Sequence, residues 1–158
     1  MRMIEFEIPG QPVAKARART VRTKGGKVRT YTPVKTKNWE QFAQISAWAE
    51  YSGAPIAGPI MLTVIAVFGL PVSWPKWKKD AAQDGRIIHA SKPDADNVLK
   101  AVKDALNGII WIDDAQVSRA VITKKYGAAA KVKIIVREIS AAGSNVKSKA
   151  EFERVTGC

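Results

Sequence analysis

Ile4, Phe6 and Ile8 alternate with Glu5 and Glu7, the period of two expected of a half-buried β-strand. Pro9, Gly10 and Pro12 end that pattern, and from about Val13 to Lys37 no apolar periodicity returns. This second stretch reads as a mobile basic loop, with Gly25 and Gly26 as a flexible tip or the turn of a hairpin. A helix is predicted from about Pro33 to Ser52, because Trp39, Phe42, Ile45, Trp48 and Ala49 recur at spacings of three and four. Gly53, Pro55, Gly58 and Pro59 then interrupt the chain. Ile60 to Phe68 is almost continuously apolar, as in a central strand covered on both faces. Pro71 to Ala90 reads as a polar connection carrying Trp74 and Trp77. After Pro93, the residues Val98, Ala101, Val102, Ala105 and Leu106 share one helical face, and Gly108 stands where a C-cap belongs. Val117–Tyr126 and Lys131–Ile139 are predicted strands, joined around Gly127 as a hairpin. Beyond Ser140 the chain turns small and polar, with at most a weak helix from Val146 to Val155. The order β-α-β-α-β-β predicts an α+β fold: a single compact domain over residues 1–140, two main helices packed on a mixed β-sheet, and a polar tail from 141 to 158.

At 158 residues the chain suits one domain with a real core. No apolar run approaches the roughly 18 residues of a membrane span, and the first residues lead into a strand pattern instead of a signal peptide. The single cysteine, Cys158, can form no internal disulfide, which fits a reducing cytoplasm. Charge changes the picture most. With 26 Lys and Arg against 14 Asp and Glu, the net charge is +12. Such a surface repels itself and points to a polyanionic partner, nucleic acid ahead of acidic lipid or a scaffold of ribosomal RNA. Lys15, Arg17, Arg19, Arg22, Lys24, Lys27, Arg29, Lys35 and Lys37 follow one another with no acid between Glu7 and Glu40. Lys76 and Lys92 add to the candidate phosphate contacts.

Against that basic background, acids placed in pairs stand out. Asp94 and Asp96 precede the second helix, and in an extended segment residues two apart point to one side. Asp113 and Asp114 follow the helix, which would return the chain to the same sheet edge. Phosphodiester hydrolysis needs an acidified water and neutralisation of developing negative charge, and a hard divalent cation on carboxylate oxygens supplies both. No histidine or cysteine cluster exists to favour zinc. Lys100, one turn after Asp96, can reach a scissile phosphate. The ordinary readings stay open: Asp94 or Asp96 as a helix cap, Asp113 and Asp114 as a turn, and Asp96, Lys100 and Asp104 as a surface ladder.

The run KPDADNVLKAVKDALNG from Lys92 to Gly108, followed by WIDDAQV from Trp111 to Val117, resembles the RusA family of Holliday junction resolvases. The motif IPGQPV from Ile8 to Val13, the basic loop and Tyr31-Thr-Pro resemble its longer phage-type members. Val98 departs from the usual leucine, one apolar residue for another. The resemblance implies a RusA-like fold and a homodimer that cuts opposed strands of four-way DNA. It implies Asp94, Asp96 and Asp114 as catalytic carboxylates binding Mg²⁺, with Mn²⁺ as a substitute, and Lys100 as an essential catalytic lysine. Asn97 and Asp104 match recurring positions of supporting character, and Asp113 has no role assigned. It also suggests a bacterial, phage or prophage source. The expected function is therefore metal-dependent resolution of branched DNA in recombination and repair. The competing readings are a non-catalytic branched-DNA-binding protein of the same fold and an RNA-binding or ribosome-associated protein. Trp74 and Trp77 fit either base stacking at a branch or cover for a core edge or dimer surface. His89 is a candidate phosphate contact or general acid, although a lone histidine is more often structural.

Overall fold

The structure is a computed structural model and describes residues 2–15, 19–31, 34–140 and 147–157. In chain order the strands are β1 (Met3–Pro9), β2 (Arg19–Arg22), β3 (Val28–Tyr31), β4 (Ile60–Gly69), β5 (Val117–Gly127) and β6 (Lys131–Glu138). The helices are α1 (Val34–Glu50), α2 (Lys76–Gln83), α3 (Ala95–Leu106) and α4 (Lys149–Thr156), with a single 3₁₀ turn at Asp114–Gln116. Four strands form a mixed sheet in the order β1-β6-β4-β5, and β2 pairs only with β3. The α+β class and the single compact domain agree with the sequence pattern.

Strand β1 buries Ile4, Phe6 and Ile8 and turns Glu5 and Glu7 outward, as its alternation requires. Its partner β6 sets Lys133 at 2.7 Å from Glu5 and Lys131 at 2.9 Å from Glu7. Strand β4 takes an interior place, parallel to β5 and antiparallel to β6. Its inner face is fully buried, but Met61, Thr63 and Ile65 are only half-covered, so it is not sealed on both sides over its whole length.

The expected β5–β6 hairpin does not form, because β4 lies between the two strands. The chain leaves β5 at Gly127, crosses the end of β4 in three residues and enters β6 at Lys131. That crossing is tight. A Cβ on Gly127 would come within 2.5 Å of Val67 Cγ1. The most apolar strand wins the central position, where both edges of its backbone are paired.

Helix α1 also differs from expectation in the face it buries. Thr36, Trp39, Ala43 and Ala47 point inward, while Phe42, Ile45 and Trp48 are 57%, 60% and 58% exposed. The small residues win because α1 packs against both β1 and α3, and α3 presents its own Ala101 and Ala105 to the core. Trp39 stays in the core as expected, and past it the alanines of the two helices allow a closer approach than Phe42 or Trp48 would. Helix α3 buries Val98, Ala101, Val102, Ala105 and Leu106 as predicted, and Gly108 adopts φ +82° just past its C-cap. The span read as a polar connection contains α2, which buries Ala81 and Ala82 and packs against β5.

Candidate active site and nucleic-acid interface

Helix α3 starts at Ala95, so Asp94 is its N-cap and Asp96 lies in its first turn. The two aspartates therefore meet at a helix N-terminus, and not through strand alternation as the sequence suggested. The main chain of Asp94 begins the helix, its carbonyl accepting from the Val98 N–H at 3.1 Å, but its carboxylate makes no capping bond. Both side chains are exposed and have no ion-pair partner among the described residues. The positive end of the helix dipole favours negative charge at this place.

Asp114 is held differently. Trp111, fully buried, donates from Nε1 to Asp114 Oδ1 at 2.9 Å, which fixes one carboxylate oxygen and leaves the other available. Asp113 has a structural role: its Oδ1 accepts from the Ala115 N–H at 2.7 Å, and its own N–H donates to Gln116 Oε1 at 2.7 Å. Gln116 also donates from Nε2 to the carbonyls of Ile56 and Gly58, at 2.6 and 2.8 Å, tying this turn to the segment before β4.

Between these elements lies an open cleft of about 380 Å³, lined by Asp96, Asn97, Leu99, Lys100, Lys103, Asp104 and Asp114. It brings together Asp96, Lys100 and Asp114, three of the four expected catalytic residues. Asp94 is not part of its lining. Among the described residues, no group of three His, Cys, Asp or Glu side chains is placed to hold a metal ion. Asp94, at the N-cap of α3, stands just ahead of the turn of helix that carries Asp96 and Lys100 into the cleft. The chemistry of the donors nevertheless fits a hard divalent cation, since all are carboxylate oxygens and most are unengaged. Lys103 was missed by sequence reasoning, although its place three residues beyond Lys100 puts both on one helical face.

Asp104 and Lys15 answer to each other. The Lys15 ammonium is 2.7 Å from Glu40 of α1 and 3.2 Å from Asp104 of α3, and its backbone N–H donates to the Asn97 carbonyl at 3.1 Å. Partial burial alone would lower its pKa, but the hydrogen bonds and charges of Glu40 and Asp104 outweigh that and raise it. Lys15 thus departs from the expected phosphate contact: its charge is neutralised, and it clips the N-terminal segment to both helices.

The rest of the basic loop forms a two-stranded ribbon, the hairpin that Gly25 and Gly26 allowed. Strands β2 and β3 pair antiparallel from Arg19↔Tyr31 to Arg22↔Val28, and the tip turns through Thr23–Lys27 with Gly26 at φ +77°. Arg19, Arg22, Lys24, Lys27 and Arg29 are all exposed on it, whereas Arg17 lies outside the described residues. The base of the ribbon borders the site, because Arg19, Lys35 and Pro93 line one depression. Lys92 is exposed beside Pro93, and Lys76 projects from α2, 3.9 Å from Asp80.

The remaining aromatic candidates separate cleanly. His89 is buried, stacked on Phe68 with centroids 3.7 Å apart and tilted against Tyr126 at 5.0 Å. Burial and the nearby Lys124 lower its pKa, which suits a neutral structural ring better than a phosphate contact. Trp74 packs on Tyr126 at 5.1 Å and carries the Lys78 ammonium over its face, so it covers a core edge. Trp77 is 69% exposed.

Residues 9–137 match the sequence profile of a family described as Endodeoxyribonuclease RusA. The chain belongs to the RusA family. A protein of Bacillus subtilis (strain 168), described as "Uncharacterized protein YqaN", is 37% identical to it over 143 residues, which cover 89% of this chain and all of that protein. As a RusA-family member the protein is placed among endodeoxyribonucleases. The match includes both arms of the cleft and stops before α4. Among the described residues, no helix is long and apolar enough to cross a membrane.

Proposed function

We propose that this RusA-family protein is a divalent-metal-dependent endonuclease that resolves four-way DNA junctions during recombination and repair. The observation that carries the reading is the shared cleft: Asp96 and Lys100 near the start of α3 and Asp114 beyond its end line one cavity, and Arg19 at the base of the basic ribbon shares a depression with Pro93, next to Asp94. Asp94, Asp96 and Asp114 are the residues that would hold Mg²⁺, or Mn²⁺ in its place. When bound, a cation held there would supply an acidified water and neutralisation of charge on the phosphate. Lys100 lines the same cleft, where its ammonium would oppose the negative charge that develops on the scissile phosphate. Arg19, Arg22, Lys24, Lys27 and Arg29, with Lys76 and Lys92, position the backbone without reading bases.

Two copies are needed to cut opposed strands, and α1 presents an outer face of Phe42, Ile45 and Trp48 on which a homodimer can close. The profile match ends at residue 137, in keeping with a nuclease domain over 1–140 and a separate tail. The Bacillus relative and the substrate support a bacterial or prophage source, with action in the cytoplasm. A protein that only binds branched DNA would gain nothing from free carboxylates on a basic surface.

Asp94→Asn is the deciding variant. It is expected to bind a four-way junction at least as tightly as the parent while Mg²⁺-dependent cleavage falls by about 100-fold or more. Cleavage at the parental rate would overturn the assignment of the metal site. Flaps and linear duplex, assayed alongside with Mg²⁺, Mn²⁺ and EDTA, define the substrate.

A further inference from the structure

Lys124 occupies an unusual place for a lysine. It lies on β5 between Ile122 and Tyr126, and those two pack against Ala66, Phe68 and Val98, the point where α3 begins. Residues two apart on a strand share a face, so Lys124 is on the side of β5 turned toward α3. It is half-buried and has no carboxylate partner among the described residues. Its ammonium instead donates to two main-chain carbonyls, Ser91 at 2.7 Å and Pro93 at 2.9 Å. These bracket Lys92 and end at the residue immediately before Asp94. No regular element holds residues 87–93, whose main chain would otherwise be free to shift the start of α3.

We infer that Lys124 is a positioning residue for the acidic site: it clamps the Ser91–Pro93 segment to β5 and thereby fixes where Asp94 and Asp96 present their carboxylates. The inference rests on the reading of those two aspartates as metal ligands. Three features support it. Both hydrogen bonds are charge-assisted and short, so they restrain geometry more strongly than neutral ones. They act on backbone, which transmits to Asp94 whatever its side-chain rotamer. Finally, β5 is the strand that the Asp114 turn leads into, so one strand carries the chain on from Asp114 and also anchors the segment bearing Asp94. Groups that orient ligands without touching the metal are commonly worth 10–100-fold in metal affinity.

Lys124→Met keeps the stem and removes the donors, Lys124→Arg keeps donors and charge, and Lys125→Met removes the adjacent exposed lysine as a control. Mn²⁺ binding by calorimetry, without DNA, is expected to weaken about 10–100-fold in Lys124→Met. It should recover largely in Lys124→Arg and stay at the parental value in Lys125→Met. Amide exchange at Val98, whose N–H bonds to the Asp94 carbonyl, is expected to accelerate in Lys124→Met alone. Parental Mn²⁺ affinity and parental Val98 exchange in folded Lys124→Met would overturn the clamp. If Lys124→Met fails to fold, Lys124→Gln, which can satisfy only part of the carbonyl pair, takes its place under the same two criteria. Asp94→Asn separates the two readings. Should it bind Mn²⁺ like the parent, the metal site itself is misassigned; should it lose Mn²⁺ while Lys124→Met does not, the clamp alone fails.

Discussion

His89 is the only histidine in the chain, and its burial makes it a clean reporter of proton linkage. Its folded pKa is lowered from 6.5, by burial first and by Lys124 second. Below pH 6.5 the unfolded chain binds a proton that the folded one resists, so the contribution is complete above pH 6.5 and is lost as pH drops from there toward the folded pKa. Urea midpoints measured from about pH 7.5 to about pH 5.5 are expected to decline, and His89→Phe, which preserves the stack on Phe68, should flatten that decline. A pH-independent midpoint for the parent would show that His89 titrates normally in the fold. Asp113 and Asp114 teach a related lesson about neighbours. They are adjacent and chemically identical, yet one closes a capping box and the other is oriented by Trp111 toward the cleft. Sequence patterns identify such a pair; only its surroundings divide the roles.

Among the elements, β1 and α3 were legible because periodicity reports directly which face is buried, and their inward residues follow it. Helix α1 was legible as a helix and misread as a surface. Of the large apolar residues that suggested the core, Trp39 is buried there, but helix-to-helix approach selected Ala43 and Ala47 over Phe42, Ile45 and Trp48 for the rest of the interior face. Helix α2 went unseen because eight residues rich in lysine carry too short an apolar stripe. The β5–β6 hairpin was inferred from nearness in sequence, and strand order depends on long-range pairing that no local pattern encodes. The outward face of α1 has a consequence that can be measured. Sedimentation velocity at micromolar concentration is expected to show a dimer, and Trp48→Lys should move it toward monomer. A parent that sediments as a monomer with and without junction DNA would remove the paired-cut reading.

In the whole molecule, charge is divided between two devices. Lys15 is held by Glu40 and Asp104, and β6 lysines pair with β1 glutamates, so part of the excess is internal to the fold. The ribbon from Arg19 to Tyr31 keeps its charge exposed. DNA affinity should therefore fall steeply with salt, and most of the slope should belong to the ribbon. Replacing Arg22, Lys24 and Lys27 together with Gln is expected to reduce the log–log salt slope by about 0.9 for each phosphate that is no longer neutralised, while cleavage at saturating DNA is retained. An unchanged slope would place the phosphate grip elsewhere.

The position of β6 governs the order of events during synthesis. It is the last strand made, yet it alone joins β1 to β4, so the opening strand has no sheet partner until the polypeptide has been extended through Glu138. The first strand must wait, solvent-exposed, for a mate more than a hundred residues away, a separation that slows the search for native pairing. A ribosome releasing this chain early would thus release β1 and β4 with no strand to connect them.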